Sequence, residues 1–355
     1  MQTVKNIVTM VARPKHWRFI SGDKPSDRIA YWERMYSPAL QTIFQGLRAK
    51  ELECGYIVQN ITVAPFQRNF PNIPLGFDRV SNTDKATGYT IPNPFDSRAM
   101  QSGDVLIVVG DAQCRFYLKQ CKELKRRGVL CVFYYTEPQP LDFNLFKEGW
   151  QEIWYYSSTG MPKGDTTAGP AGHLSHRYVP PGATTPTYPV LDRVQLRSLP
   201  TQFLFLGQMV AHAEFRLQCW NKLKENPFTA PRLVQRYNVI TDADWGALAQ
   251  EVPHTVFLNI HRLNLANASL ESFRITTLLS IGAVIVTQPS NPADLAAFQD
   301  MIIVEKSMCS TEWSQETKDL LDSPSLLTAW RDRSQKLYKK MFTPSRLLNV
   351  AGVWG

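Results

Sequence analysis

The chain has 355 residues, enough for two domains that each bury a core of their own. Apolar residues make up 44% and charged residues 20%, which excludes a disordered or a fibrous chain. The net charge of +8 suits an anionic partner (nucleic acid, a membrane surface or a phosphorylated small molecule) without choosing among them.

Strand-like and helix-like patterns alternate along most of the length, which predicts an α/β architecture. Residues 4–11 read as a strand, 37–50 as a helix opened by Ser37 and Pro38, and 54–63 as a second strand. Residues 64–100, rich in Pro, Asn, Asp and Gly, read as a long excursion. The run DVLIVVGD at 104–111 is apolar without alternation, as in a strand buried on both faces. An amphipathic helix follows at 112–128, closed by Gly128, then strands at 129–138 and 152–158. Residues 159–200 carry the sharpest shift toward Gly, Pro and Thr and read as the interdomain connection.

A second series begins with a strand at 203–209 and a helix at 212–225. Strands at 233–240 and 255–261 flank a short helix near 242–250. A helix at 270–282 ends on Gly282, a strand follows at 283–288, then a helical piece at 292–299, a strand at 301–304 and a basic helix at 325–342. The expected boundaries are 1–185 for a first Rossmann-like domain and 186–325 for a second. The remainder, 326–355, is a C-terminal helix expected to pack back toward the first domain.

Six cysteines stand at Cys54, Cys114, Cys121, Cys131, Cys219 and Cys309, with no CxxC pair and no disulfide-style clustering. Free thiols in a reducing, cytoplasmic setting are the simplest account. No His or Cys spacing matches a metal site, and no apolar run approaches the length of a membrane span. In such a setting the sequons at Asn60 and Asn267 are chance. A dinucleotide-binding oxidoreductase is disfavoured, because VVGDAQC supplies one glycine where the fingerprint needs three.

The run LNIHRLNLANASLESFRITTLLSIGAVIVTQP resembles the donor-binding segment of glycosyltransferases with the GT-B fold. Arg274, Gly282 and the strand Val284 to Val286 match that family's R-x-x-E-x-x-x-x-G helix and following V-I-V strand. Thr277 stands where the family has a ribose-holding Glu, and Glu271, two turns earlier, is the carboxylate placed to replace it. FLFLGQMVAHAEFRLQCWNKL resembles the opening strand, loop and helix of the family's C-terminal domain. EIWYYSS and RYVPPGA resemble late elements of the N-terminal domain and the linker. The resemblance covers about residues 100–305 and implies two Rossmann-like domains facing across a cleft. It implies metal-independent transfer of a sugar from a nucleotide-diphosphate sugar to a hydroxyl of a glycan or glycoprotein acceptor.

Open α/β sheets bind ligands beyond the carboxyl ends of their strands, and helix N-termini and arginines suit a diphosphate. On that reasoning Gly207, His261, Glu271, Arg274 and Thr277 are the candidate donor-binding residues. Glu137, Asp111 and His212 are the candidate catalytic residues. Each also has a plain reading: Asp111 as an N-cap, Glu137 as a turn residue before Pro138, His212 as a helix start, Gly207 as a turn glycine. Tyr135 and Trp154 suit either stacking on a ligand or core packing. His173, His176 and His254 read as loop histidines. Two further readings remain open: transfer to a modified DNA base, which the basic charge would suit, and a nucleotide-sugar-binding protein that lost catalysis, which Thr277 would suit.

Overall fold

The computed structural model describes residues 5–11, 45–47, 56–61, 97–110, 118–137, 141, 148–162, 174–182, 200, 202–207, 214–236, 242–262, 268–343 and 346. The chain divides into two compact units, residues 1–180 with 344–355, and residues 181–343. The expected boundary at 185/186 lies among the residues outside this set.

The first unit is built on a parallel sheet of β1 (Lys5–Val11), β2 (Tyr56–Ile61), β3 (Val105–Gly110), β4 (Leu130–Tyr135), β5 (Glu152–Tyr155) and β6 (Ser175–Tyr178), in the order β2-β1-β3-β4-β5-β6. The unbroken apolar run of β3 is explained by its position, since all six of its residues are buried. Helix α1 (Leu118–Arg126) buries Cys121 and Leu124 against Cys131 and Phe133. It stops at Gly128, whose φ of 81° and 2.5 Å approach of an added Cβ to Ser102 Oγ leave room for glycine alone.

The second unit repeats the plan with β7 (Gln202–Leu206), β8 (Leu233–Arg236), β9 (Thr255–Asn259), β10 (Val284–Thr287) and β11 (Ile303–Val304), in the order β8-β7-β9-β10-β11, again all parallel. Its helices are α2 (Glu214–Glu225), α3 (Asp242–Glu251), α4 (Ser272–Ser280), α5 (Pro292–Ala297), α6 (Gln315–Asp322) and α7 (Pro324–Met341). The core joins Phe203, Phe205, Leu258 and Val286 of the sheet to Trp220 of α2, Trp313, and Leu321 and Leu327 of the last two helices. Helix α7 belongs to this unit: it packs on α4 and α6, Tyr338 Oη donates to the Thr276 carbonyl at 2.8 Å, and the residues beyond it group with the first unit.

Two elements depart from expectation. Strand β6 lies inside the stretch expected to be the connection, and helix α6 lies where no element was expected. The polar segment SHRY reads as loop on its own. It becomes a strand because Ile153 and Trp154 of β5 offer it a free ladder edge. The thiols depart as well. Cys219 of α2 and Cys309 are joined by a disulfide across 90 residues of sequence, while Cys121 and Cys131 are buried thiols outside any disulfide. Spacing that wide carries no sequence signal. Among the described residues, no helix is long and apolar enough to cross a membrane.

Candidate functional site

In the second unit the strand order turns at β7. The next strand in sequence, β8, lies on one side of it, and β9 and the strands after it lie on the other. Beyond the carboxyl ends of strands at such a turning point the connections diverge and leave a crevice. The residues there are Gly207 after β7, and Asn259, Ile260 and His261 at the end of β9. Helix α4 begins beside them, because it follows β9 in a parallel crossover.

The charges gather at this edge. Glu271, at the N-cap of α4, makes no side-chain cap bond. Its two oxygens meet two arginines instead: Arg216 Nη2 at 2.8 Å from α2, and Arg274 Nη2 at 2.5 Å from one turn along α4. Burial alone would raise the Glu271 pKa, but the charges of Arg274 and Arg216 outweigh it and hold the carboxyl below its ordinary value. Both guanidiniums lie over the Phe205 ring, at 5.3 and 5.5 Å from its centre. Arg216 also donates through Nε to the Ile260 carbonyl at 3.2 Å, which ties α2 to the end of β9. Arg274 donates through Nη1 to Asn259 Oδ1 at 3.2 Å, and its side chain keeps 20% of its surface exposed.

Behind the charges runs a buried polar network. Asn259 Nδ2 donates to Thr287 Oγ1 across β9 and β10 at 2.9 Å. The His261 backbone N–H donates to Gln288 Oε1 at 2.7 Å, and Gln288 Nε2 reaches the Cys309 sulfur of the disulfide. The His261 ring meets the Pro289 carbonyl and Ser290 Oγ through Nε2. Burial lowers the His261 pKa and the Arg274 charge adds to this, against an opposing pull from Glu271.

Of the eight residues expected from sequence, four of the donor set therefore meet at one edge: Gly207, His261, Glu271 and Arg274. Gly207 donates its N–H to the Arg236 carbonyl, and a Cβ placed on it would come within 2.7 Å of the Phe205 ring and 3.6 Å of Arg274. Thr277 sits one turn further along α4, and its hydroxyl bonds back to the Phe273 carbonyl at 2.9 Å. Glu137 follows β4 in the first unit, at the carboxyl end of that strand, and is partly exposed. Asp111 and His212 lie outside the described residues. Tyr135 and Trp154 are buried in the first unit, with Trp154 Nε1 donating to Glu152. His176 belongs to β6 and hydrogen-bonds Tyr155.

Arg216 and Asn259 were not singled out from sequence, yet each carried a signal. Arg216 falls on the apolar stripe of α2 with Cys219, Trp220 and Leu223, and is only 7% exposed. Asn259 closes a strand whose five residues are all buried. A charge or an amide in such a position needs partners, and those partners define the site.

No protein-family profile and no curated protein matches this sequence. Solved structures match in fold. The α,α-trehalose-phosphate synthase (UDP-forming) of Burkholderia vietnamiensis is 10% identical over 100% of this chain and 98% of its own, with a TM-score of 0.54. A glycosyltransferase of Rickettsia africae ESF-5 is 9% identical over 98% of this chain and 97% of its own, with a TM-score of 0.54. HepE of Anabaena, solved in complex with UDP and glucose, is 9% identical over 99% of each chain, with a TM-score of 0.51. The fold expected from the resemblance, two Rossmann-like α/β units of the GT-B type, is the fold of this protein.

Proposed function

We propose that this protein is a glycosyltransferase that takes a sugar from a nucleotide-diphosphate donor held at the carboxyl edge of the second sheet. The observation that carries the reading is the convergence of Arg274, Arg216 and the N-terminus of α4 at the strand-order turn, beside a glycine that keeps the approach clear. Two guanidiniums around one carboxylate leave a net positive site, which suits a diphosphate. Arg274 is the more exposed of the two and makes the phosphate contact; Arg216, locked between Glu271 and Ile260, holds the arrangement. In the reaction the same charge steadies the departing diphosphate, so the reading asks for no bound metal. The structures of like fold include proteins named for transfer from, or solved with, UDP-linked chemistry, which supports the same donor class here. The acceptor side is assigned to the first unit, with Glu137 as the carboxylate that takes the proton of a glycan or glycoprotein hydroxyl.

A thermal-shift panel of UDP, GDP, ADP and CMP with their sugars tests the donor. At a hundredfold excess over its dissociation constant, the right nucleotide should stabilise the fold by about 2.7 kcal/mol. Arg274→Ala should remove that shift, while Glu137→Gln should keep it and lose transfer. An Arg274→Ala protein that is stabilised as before would sink the phosphate assignment.

A further inference from the structure

His261 is 4% exposed, and its ring is held through one nitrogen only. Nε2 lies 3.1 Å from the Pro289 carbonyl and 2.7 Å from Ser290 Oγ. A carbonyl oxygen accepts and never donates, so Nε2 must carry the proton that faces it. In the neutral ring, which burial favours, Nδ1 is then a bare acceptor. Nδ1 is buried and finds no hydrogen-bond partner among the described residues. An orphaned buried acceptor costs about 1–3 kcal/mol. The ring has little freedom to escape this, since the His261 backbone is pinned to Gln288 and Gln288 in turn to the disulfide.

Among the described residues, the carboxylate and the hydroxyl that α4 brings to this edge are engaged. Glu271 meets a guanidinium at each oxygen, and the Thr277 hydroxyl is spent on its own helix. We propose that Nδ1 of His261 accepts a hydrogen bond from a hydroxyl of the donor nucleotide, on the ribose or on the transferred sugar, in place of a carboxylate at Thr277. This rests on the donor site proposed above and adds to it the atom that reads a hydroxyl.

The test is calorimetric titration of UDP, GDP, ADP and their sugars into the wild type and into the His261→Asn, His261→Gln and His261→Phe variants, with melting curves to confirm folding. The amide of Asn reaches the place of Nδ1 and that of Gln the place of Nε2. The Asn variant should therefore bind within about threefold of wild type, and Gln and Phe should lose about tenfold, the worth of one good hydrogen bond. For the nucleotide that binds, the 2′-deoxy form should bind the wild type and the Phe variant alike if the hydroxyl is on the ribose. If it lies on the transferred sugar, the Phe penalty should appear only with the nucleotide sugar.

Burial holds the His261 pKa below its ordinary value, so Nδ1 gains a proton only in more acid solution; there wild-type binding should weaken more than Asn-variant binding, since the diphosphate titrates identically in both. The charges that set this titration are Glu271 and Arg274 on α4, with Arg216 and Arg262 nearby. A folded Phe variant that binds both the nucleotide and its sugar as wild type does, or an Asn variant no better than Gln with either, overturns the inference and leaves the donor site standing. A wild type that binds no nucleotide removes both.

Discussion

The two sheets share a strand order and differ in what closes their strands. In the first unit, β4 and β5 end in aromatic residues whose polar atoms are spent at home. Tyr134 Oη donates to the Val179 carbonyl, Tyr155 Oη pairs with His176, and Trp154 Nε1 donates to Glu152. In the second unit the strand ends carry amides, a histidine and ion pairs, with Nδ1 of His261 unused and Arg274 part-exposed. One topology thus supplies two strand-end edges, and the side chains decide which gathers charge and which packs aromatic rings. The second unit also carries the disulfide, joined to that charged edge through α2 and Gln288.

The largest expected break between the units comes from that disulfide. Closing a loop of 90 residues is worth about 4.6 kcal/mol in the chain-entropy account. Replacing Cys219 and Cys309 by Ala should lower the second unit's calorimetric transition by that order and leave the first unit's in place. Equal shifts in both transitions would refute the separation.

Next comes Arg216→Met, which leaves Glu271 with one cation in a partly buried place and should cost about 3 kcal/mol. The pH dependence gives it a signature. The Glu271 carboxyl is held below its ordinary value, so its contribution to stability is full above the ordinary carboxylate pKa and is lost as pH falls through the folded value. In Arg216→Met the folded value moves back toward the ordinary one, so that acid loss should shrink. Urea midpoints followed between about pH 3 and pH 6 would register it. Unchanged acid sensitivity would argue against the pair.

Gly207→Ala should cost about 1–2 kcal/mol, since its Cβ falls 2.7 Å from the Phe205 ring that both arginines cover. Nucleotide affinity should fall with it; a stable variant with full affinity would show that Gly207 only turns the chain. The smallest effect belongs to the first unit. Tyr155→Phe removes the bond to His176, for about 1 kcal/mol of stability and no change in nucleotide binding.

The long, strongly patterned elements were legible in the chain. The unbroken apolar run of β3 announced a buried strand, and Gly128 and Gly282, with φ of 81° and 84°, announced the ends of their helices. Gly207 and His261 could be singled out because a position after a strand in an open α/β sheet is a candidate ligand position wherever the sheet turns, and Arg274 by its match to the family's helix pattern. Strand β6 was not legible, because an edge strand takes its conformation from a neighbour. Arg216 was visible as a charge on an apolar stripe but unreadable in meaning, because Glu271 lies 55 residues away.

What the amino-acid order alone determined, then, is local: the alternation of strand and helix, the glycines that permit left-handed backbone, and the residue types brought to strand ends. These follow from backbone sterics and hydrophobic periodicity, which act over a few residues. Tertiary structure alone decided the partnerships: the strand order that opens the crevice, the Cys219–Cys309 bond, the two arginines on Glu271, and the nitrogen of His261 left without a donor. Each joins groups far apart in sequence, and only packing of the sheet and helices brings such groups within bonding distance.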